Sequence, residues 1–61
     1  MNYKLKVDKS GMGPLLLLEW IADNGDISFH LENDMENNQI ILTTRKMSEM
    51  VECEKYISLN S

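Results

Sequence analysis

The sequence predicts an α+β fold, a small antiparallel β-meander of about four strands followed by a C-terminal helix. Three observations predict it. Tyr3, Leu5 and Val7 alternate with Lys4, Lys6 and Asp8, the period of a strand with one buried face. Asn24-Gly25, set between two apolar stretches, has the chemistry of a tight hairpin turn. From Gln39 to Leu59 no Gly, Pro, Asp or Asn interrupts the chain, and there a β-branched run gives way to an apolar helical arc.

Size limits what this fold can be. The 61 residues make one small domain, 1–61. A chain of this length buries only about 60% of the surface it exposes when unfolded, so its core is thin. Cys53 is the only cysteine, which excludes an internal disulfide, and His30 is the only histidine, which leaves zinc without its usual ligand set. Of the common supports for small domains, self-association remains. The longest apolar runs fall far short of a membrane span, and no apolar leader segment precedes a small-residue cleavage site. The expected location is cytoplasmic, with Cys53 reduced.

Taken in order, the first strand covers Tyr3 to Asp8, and the cluster Ser10-Gly11-Met12-Gly13-Pro14 forces a loop. Leu15 to Ala22 admits two readings. As a strand it forms a hairpin through Asn24-Gly25, with Ala22 opposite Ile27, Trp20 opposite Phe29 and Leu18 opposite Leu31 on one face, and Glu19 opposite His30 on the other. As a helix it starts at Pro14 and ends at Asn24 or Gly25, which gives a βαββα order. The hairpin is favoured, because turn chemistry and hydrophobic phase agree. Ile27, Phe29 and Leu31 make a strand on either reading, Asn33 to Asn38 a polar turn, and Gln39 to Thr44 the next antiparallel strand. Met47, Met50, Val51, Cys53 and Ile57 then share a helical arc, with Ser48 as N-cap and Glu49 and Glu52 in the first turn. Val51, Cys53, Ile57 and Leu59 also alternate, so an all-β barrel of about five strands is the remaining alternative.

Two short stretches resemble known families. Ile41 to Glu49, ILTTRKMSE, resembles the opening strand of the carbon storage regulator family of RNA-binding dimers, with one extra threonine. Glu19 to Leu31, EWIADNGDISFHL, is similar to the helix-turn-strand near the start of the SspB protease adaptors, a likeness that favours the helical reading of Leu15 to Ala22. Neither extends to the rest of the chain, and no functional residue carries across.

Charge carries the functional expectation. Between Lys9 and Arg45 there is no lysine or arginine, while Glu19, Asp23, Asp26, Glu32, Asp34 and Glu36 leave the middle of the chain acidic, within a formal net charge of −4. The expected activity is that of a non-enzymatic protein that binds and inhibits another protein, one with a basic surface, by imitating nucleic acid. In size and charge the chain resembles small acidic inhibitors that phages and mobile elements direct at nucleic-acid-handling targets. The expected contact residues are Asp23, Asp26, Glu32, Asp34, Met35 and Glu36, with Met35 an adaptable apolar contact in the most polar loop. The competing view is that these acids form a solvated face that keeps the protein soluble. Direct nucleic-acid binding through Lys4, Lys6, Arg45 and Lys46 is the alternative of a different class, opposed by the net charge. The leucine run predicts a homodimer through Leu15, Leu17 and Ile21.

Enzymatic and cofactor-bearing readings fail on the residues. A Glu19–His30 pair has no nucleophile or Gly-rich oxyanion turn beside it, and Glu52 and Glu54 flank Cys53, where negative neighbours suppress the thiolate. Placing Gly25 at the glycine of a calcium-binding loop puts Trp20 first and Leu31 last, so the ligand pattern breaks. No metal and no cofactor is expected.

Overall fold

Pro14 and Asn24 bracket a helix. A computed structural model, which describes residues 1–61, places β1 at Tyr3–Asp8, α1 at Gly13–Asp23, β2 at Phe29–Asp34, β3 at Gln39–Thr44 and α2 at Met47–Asn60. The fold is α+β with an antiparallel sheet and a C-terminal helix, in the βαββα order, and the sheet has three strands. Leu15 to Ala22 is therefore not a strand, and the pairs Ala22–Ile27, Trp20–Phe29, Leu18–Leu31 and Glu19–His30 do not form. The Asn-Gly step does not make a hairpin turn either, since Gly11 and Asn38 are the residues with positive φ.

Both ends of α1 explain this outcome. Pro14 occupies the first turn, where its fixed φ suits a helix and its missing N–H is not needed. At the other end the Asn24 backbone N–H donates to the carbonyls of Trp20 and Ile21, each at 3.1 Å, and its side-chain Nδ2 donates to the Trp20 carbonyl at 2.8 Å. Asn24 thus serves as a helix C-cap with φ −121° rather than as a turn residue. The decisive gain is tertiary. The helix turns Leu16, Leu17 and Trp20 to one side and buries them, so that Leu17 and Trp20 cover the sheet where a fourth strand would have left it open.

In the sheet, β3 lies in the middle and is antiparallel to β1 and β2, in the order β1-β3-β2. The two outer strands therefore run parallel to each other and are joined through α1. The register sets Leu5, Leu42 and Leu31 side by side, and likewise Val7, Ile40 and Asn33. Both helices pack on the face that carries these residues. On the opposite face the rows are Lys4, Thr43 and His30, then Lys6, Ile41 and Glu32, then Asp8, Gln39 and Asp34.

The core joins Leu5, Val7 and Leu42 of the sheet to Leu17 and Trp20 of α1 and Cys53 of α2, with Ile21, Ile27, Leu31, Ile40, Met50, Tyr56 and Ile57 packed around them. The helical arc expected for α2 is shifted. Met50, Cys53 and Ile57 face inward as expected, joined by Tyr56, whereas Met47 and Val51 lie exposed. Ser48 is not the N-cap. The cap lies two residues earlier, at an extended Lys46, and the buried Thr44 hydroxyl donates to the Lys46 carbonyl at 3.0 Å to fix the entry. At the start of α1, a Cβ on Gly13 would stand 2.8 Å from Val7 Cγ1 and 3.1 Å from the Asp8 carbonyl, so the close seating of α1 on β1 requires glycine.

Candidate functional site at the acidic hairpin tip

The β2–β3 hairpin is closed by the Asp34–Gln39 pair and turns through Met35 to Asn38, where Asn38 takes φ 53°. The Asp34 carboxylate organises the turn. It accepts hydrogen bonds from the Asn37 side-chain Nδ2 at 2.9 Å and from the Asn37 backbone N–H at 3.3 Å. The side-chain bond first, then the backbone bond, with a smaller contribution from nearby Lys6, holds the Asp34 carboxyl below the usual carboxylate range. Asp34 is thus ionised and held in place, and Met35 projects from the tip 80% exposed between it and Glu36.

The acidic block does not form one surface. Glu32, Asp34, Met35 and Glu36 gather along β2 and its hairpin tip, and Asp8 joins them through the row Asp8–Gln39–Asp34. Asp23 ends α1 and Asp26 lies in the α1–β2 loop, both exposed, at the other end of β2. The five residue steps of β2 from Phe29 to Asp34 set the hairpin tip about 17 Å from the end that carries the α1–β2 loop. Glu19 belongs to neither, because on α1 it accepts the Tyr56 hydroxyl at 3.1 Å, and this bond raises the Tyr56 pKa. His30 sits instead beside Thr43 on the open sheet face.

The open face is consequently graded in charge. Lys4 and His30 flank Thr43 at one end, Lys6 and Glu32 flank the buried Ile41 in the middle, and Asp8 and Asp34 flank Gln39 at the other. Arg45 and Lys46 follow β3 beyond the basic end. Among the residues expected in a dimer interface, Leu17 is fully buried in the monomer's own core and Ile21 packs against that core, so Leu17 has no surface to offer. Leu15 is exposed, as are Leu18 one turn on and Met12 at the N-cap of α1.

Elsewhere, burial pushes the Cys53 thiol up to about 11, the behaviour of a packed residue rather than a nucleophile. A cavity of about 510 Å³ opens between β1, the Ser10–Gly13 loop and the last turns of α2, lined by Val7, Met12 and Ile57 with Lys6, Asp8 and Glu54. No three His, Cys, Asp or Glu side chains converge on a point that would hold a metal ion, and no helix is long and apolar enough to cross a membrane. Asn37 is the participant that sequence reasoning missed. Its signal was an Asp three residues before an Asn in a polar turn, the pattern of a side-chain-closed loop. The chain matches no protein-family model, no curated protein and no solved structure.

Proposed function

We propose that this is a non-enzymatic cytoplasmic protein that binds and inhibits another protein. It presents the β2–β3 tip and the acidic end of the open sheet face to a basic groove of a nucleic-acid-handling target, in the manner of the small acidic inhibitors of phages and mobile elements. The observation that carries this reading is Met35, 80% exposed on a turn that Asp34 and Asn37 hold in shape. A methionine at such a tip gains about 1.5–3 kcal/mol when a partner buries it, and its flanking carboxylates steer a basic surface onto it. Alternate residues of a strand stand about 6.7 Å apart on one face, so Glu32 and Asp34 present a short row of carboxylates leading to the tip.

A second reading has one observation in its favour. Lys4 and His30 flank Thr43 at the end of the sheet where Arg45 leaves β3, and such a cluster suits a phosphate. A pull-down from bacterial lysate separates the two, comparing the native chain with a variant carrying Met35→Ala, Asp34→Asn and Glu36→Gln. Capture of one protein by the native chain, weakened by salt and lost in the variant, supports the acidic tip. Retention of nucleic acid that survives the variant and fails with Lys4→Gln and Arg45→Gln overturns it in favour of the basic end.

A further inference from the structure

The two edges of the sheet differ in what covers them. α1 lies over β1 and α2 over β1 and β3, and neither has a substantial interface with β2. On the helix side of β2, Phe29 is left 42% exposed and Leu31 is half-buried, an apolar strip that ends at a free strand edge. Exposed strand edges with apolar neighbours are templates for pairing with another chain.

The backbone phase of that edge follows from the hydrogen bonds. The Lys9 N–H donates to the Asn38 carbonyl at 3.0 Å in line with the β1–β3 register, so alternate residues of β3 from Asn38 onward, namely Ile40, Leu42 and Thr44, bond to β1. Gln39, Ile41 and Thr43 therefore bond to Asp34, Glu32 and His30 of β2. It follows that Phe29, Leu31 and Asn33 point their N–H and C=O groups outward from the sheet.

We propose that a second copy of the chain occupies this edge, with β2 pairing antiparallel to β2 about a two-fold axis at Leu31. Three registers satisfy both the backbone phase and the two-fold axis near the middle of the strand. One centres on His30 and sets imidazole against imidazole. Another centres on Glu32 and sets carboxylate against carboxylate. The register centred on Leu31 places His30 of each copy opposite Glu32 of the other, as a non-hydrogen-bonded pair whose side chains approach closely. It also puts Leu31 against Leu31 on the helix side and Phe29 opposite Asn33. Only this register sets unlike charged side chains together at the centre of the seam, where a closed two-fold interface packs most tightly.

The seam has a consequence for the acidic residues. Strands paired in this way bring the hairpin tip of each copy alongside the α1–β2 loop of the other. Glu36 and Asp34 of one copy then stand near Asp26 of the second, a like-charge contact at the wet ends of the seam that offsets part of the central His30–Glu32 attraction and that added salt screens. This assembly rests on the β2 edge and not on the identity of any target, so it is tested with the purified protein alone.

Sedimentation equilibrium and amide hydrogen exchange test it together. The expected result is a mass that doubles with concentration while exchange at the Leu31 and Asn33 amides slows and exchange at the outward amides of β1 does not. His30→Glu should raise the dimer dissociation constant about tenfold, because it sets two like-charged pairs across the seam, and adding Glu32→Lys should restore it. Both sites are exposed, so the variants retain the fold. A monomer up to about 1 mM, where even a weak interface would register, overturns the proposal. So does a dimer whose Leu31 amide exchanges freely, or one indifferent to the charge reversal, which would move the interface to β1 or to the exposed Met12, Leu15 and Leu18.

Discussion

Leu15 and Leu17 are two residues apart, and only a helix makes their fates differ. In a strand they would share a face, and truncating either would cost about the same. In α1 they point to different sides. Leu17 is 0% exposed and packed in the core, whereas Leu15 is 52% exposed. Leu17→Ala removes a buried isobutyl group and leaves a cavity, a loss of about 2–5 kcal/mol. Leu15→Ala, at a surface position, should stay within about 0.5 kcal/mol. A chain of 61 residues, at about 0.05–0.15 kcal/mol per residue, has roughly 3–9 kcal/mol in all, so Leu17→Ala removes a large share of it. In urea denaturation followed by far-UV circular dichroism, an m-value near 1 kcal/mol/M converts that loss into a midpoint lowered by about 2 M or more, with m unchanged. The measurement is made at two protein concentrations, so that an effect on association shows as a concentration dependence. Equal losses for the two variants, or a Leu17→Ala midpoint within about 0.5 M of the native one, would refute the placement of α1.

Gly13→Ala should destabilise by about 1–3 kcal/mol, read as a lowered Tm, because the new methyl meets Val7 Cγ1 and the Asp8 carbonyl. The Cys53 thiol, buried and shifted to about 11, should react with a thiol reagent at neutral pH only at the rate of unfolding, and rapidly in urea. Asn37→Ala should raise the Asp34 pKa toward the ordinary carboxylate value of 3.8 in an NMR titration. Since the native Asp34 pKa is depressed, its contribution to stability is present above that ordinary value and lost as pH falls through the folded one; the variant should show a weaker dependence in that acid range. Tyr56, raised by its bond to Glu19, stabilises below the ordinary tyrosine value of 10.0 and loses this as pH climbs through its folded pKa, and Tyr56→Phe should abolish that alkaline loss.

The elements set by local chemistry were legible in the sequence. β1 and β3 follow from alternation and β-branched residues, the Gly/Pro loop from its composition, and α2 from an unbroken amphipathic run; the polar stretch expected as a turn from Asn33 to Asn38 turns only from Met35, because Asn33 and Asp34 continue β2 in pairing with Ile40 and Gln39. Leu15 to Ala22 was not legible, because leucines next to Asn-Gly satisfy a strand and a helix equally well. The choice rests on where Leu17 and Trp20 find cover, which is a property of the whole fold. The same holds for Met47 and Val51, whose exposure depends on how α2 is rotated against a sheet it meets only after folding. At the candidate site, Met35 and its flanking acids were readable as an exposed cluster in a polar turn. The separation of Asp23 and Asp26 from Asp34 and Glu36 was not, since it depends on β2 running as an extended strand between them.

The position of β3 between its neighbours sets an order for synthesis. Tyr3 hydrogen-bonds in register with Thr44, so β1, the earliest of these three strands to leave the ribosome, has no partner in the sheet until β3 has followed it. α1 can form early from local contacts, but β1 and β2 wait as unpaired strands for the segment that joins them. A nascent chain halted before Thr44 therefore exposes both, and completing β3 is the step at which the sheet, and the core beneath it, can close.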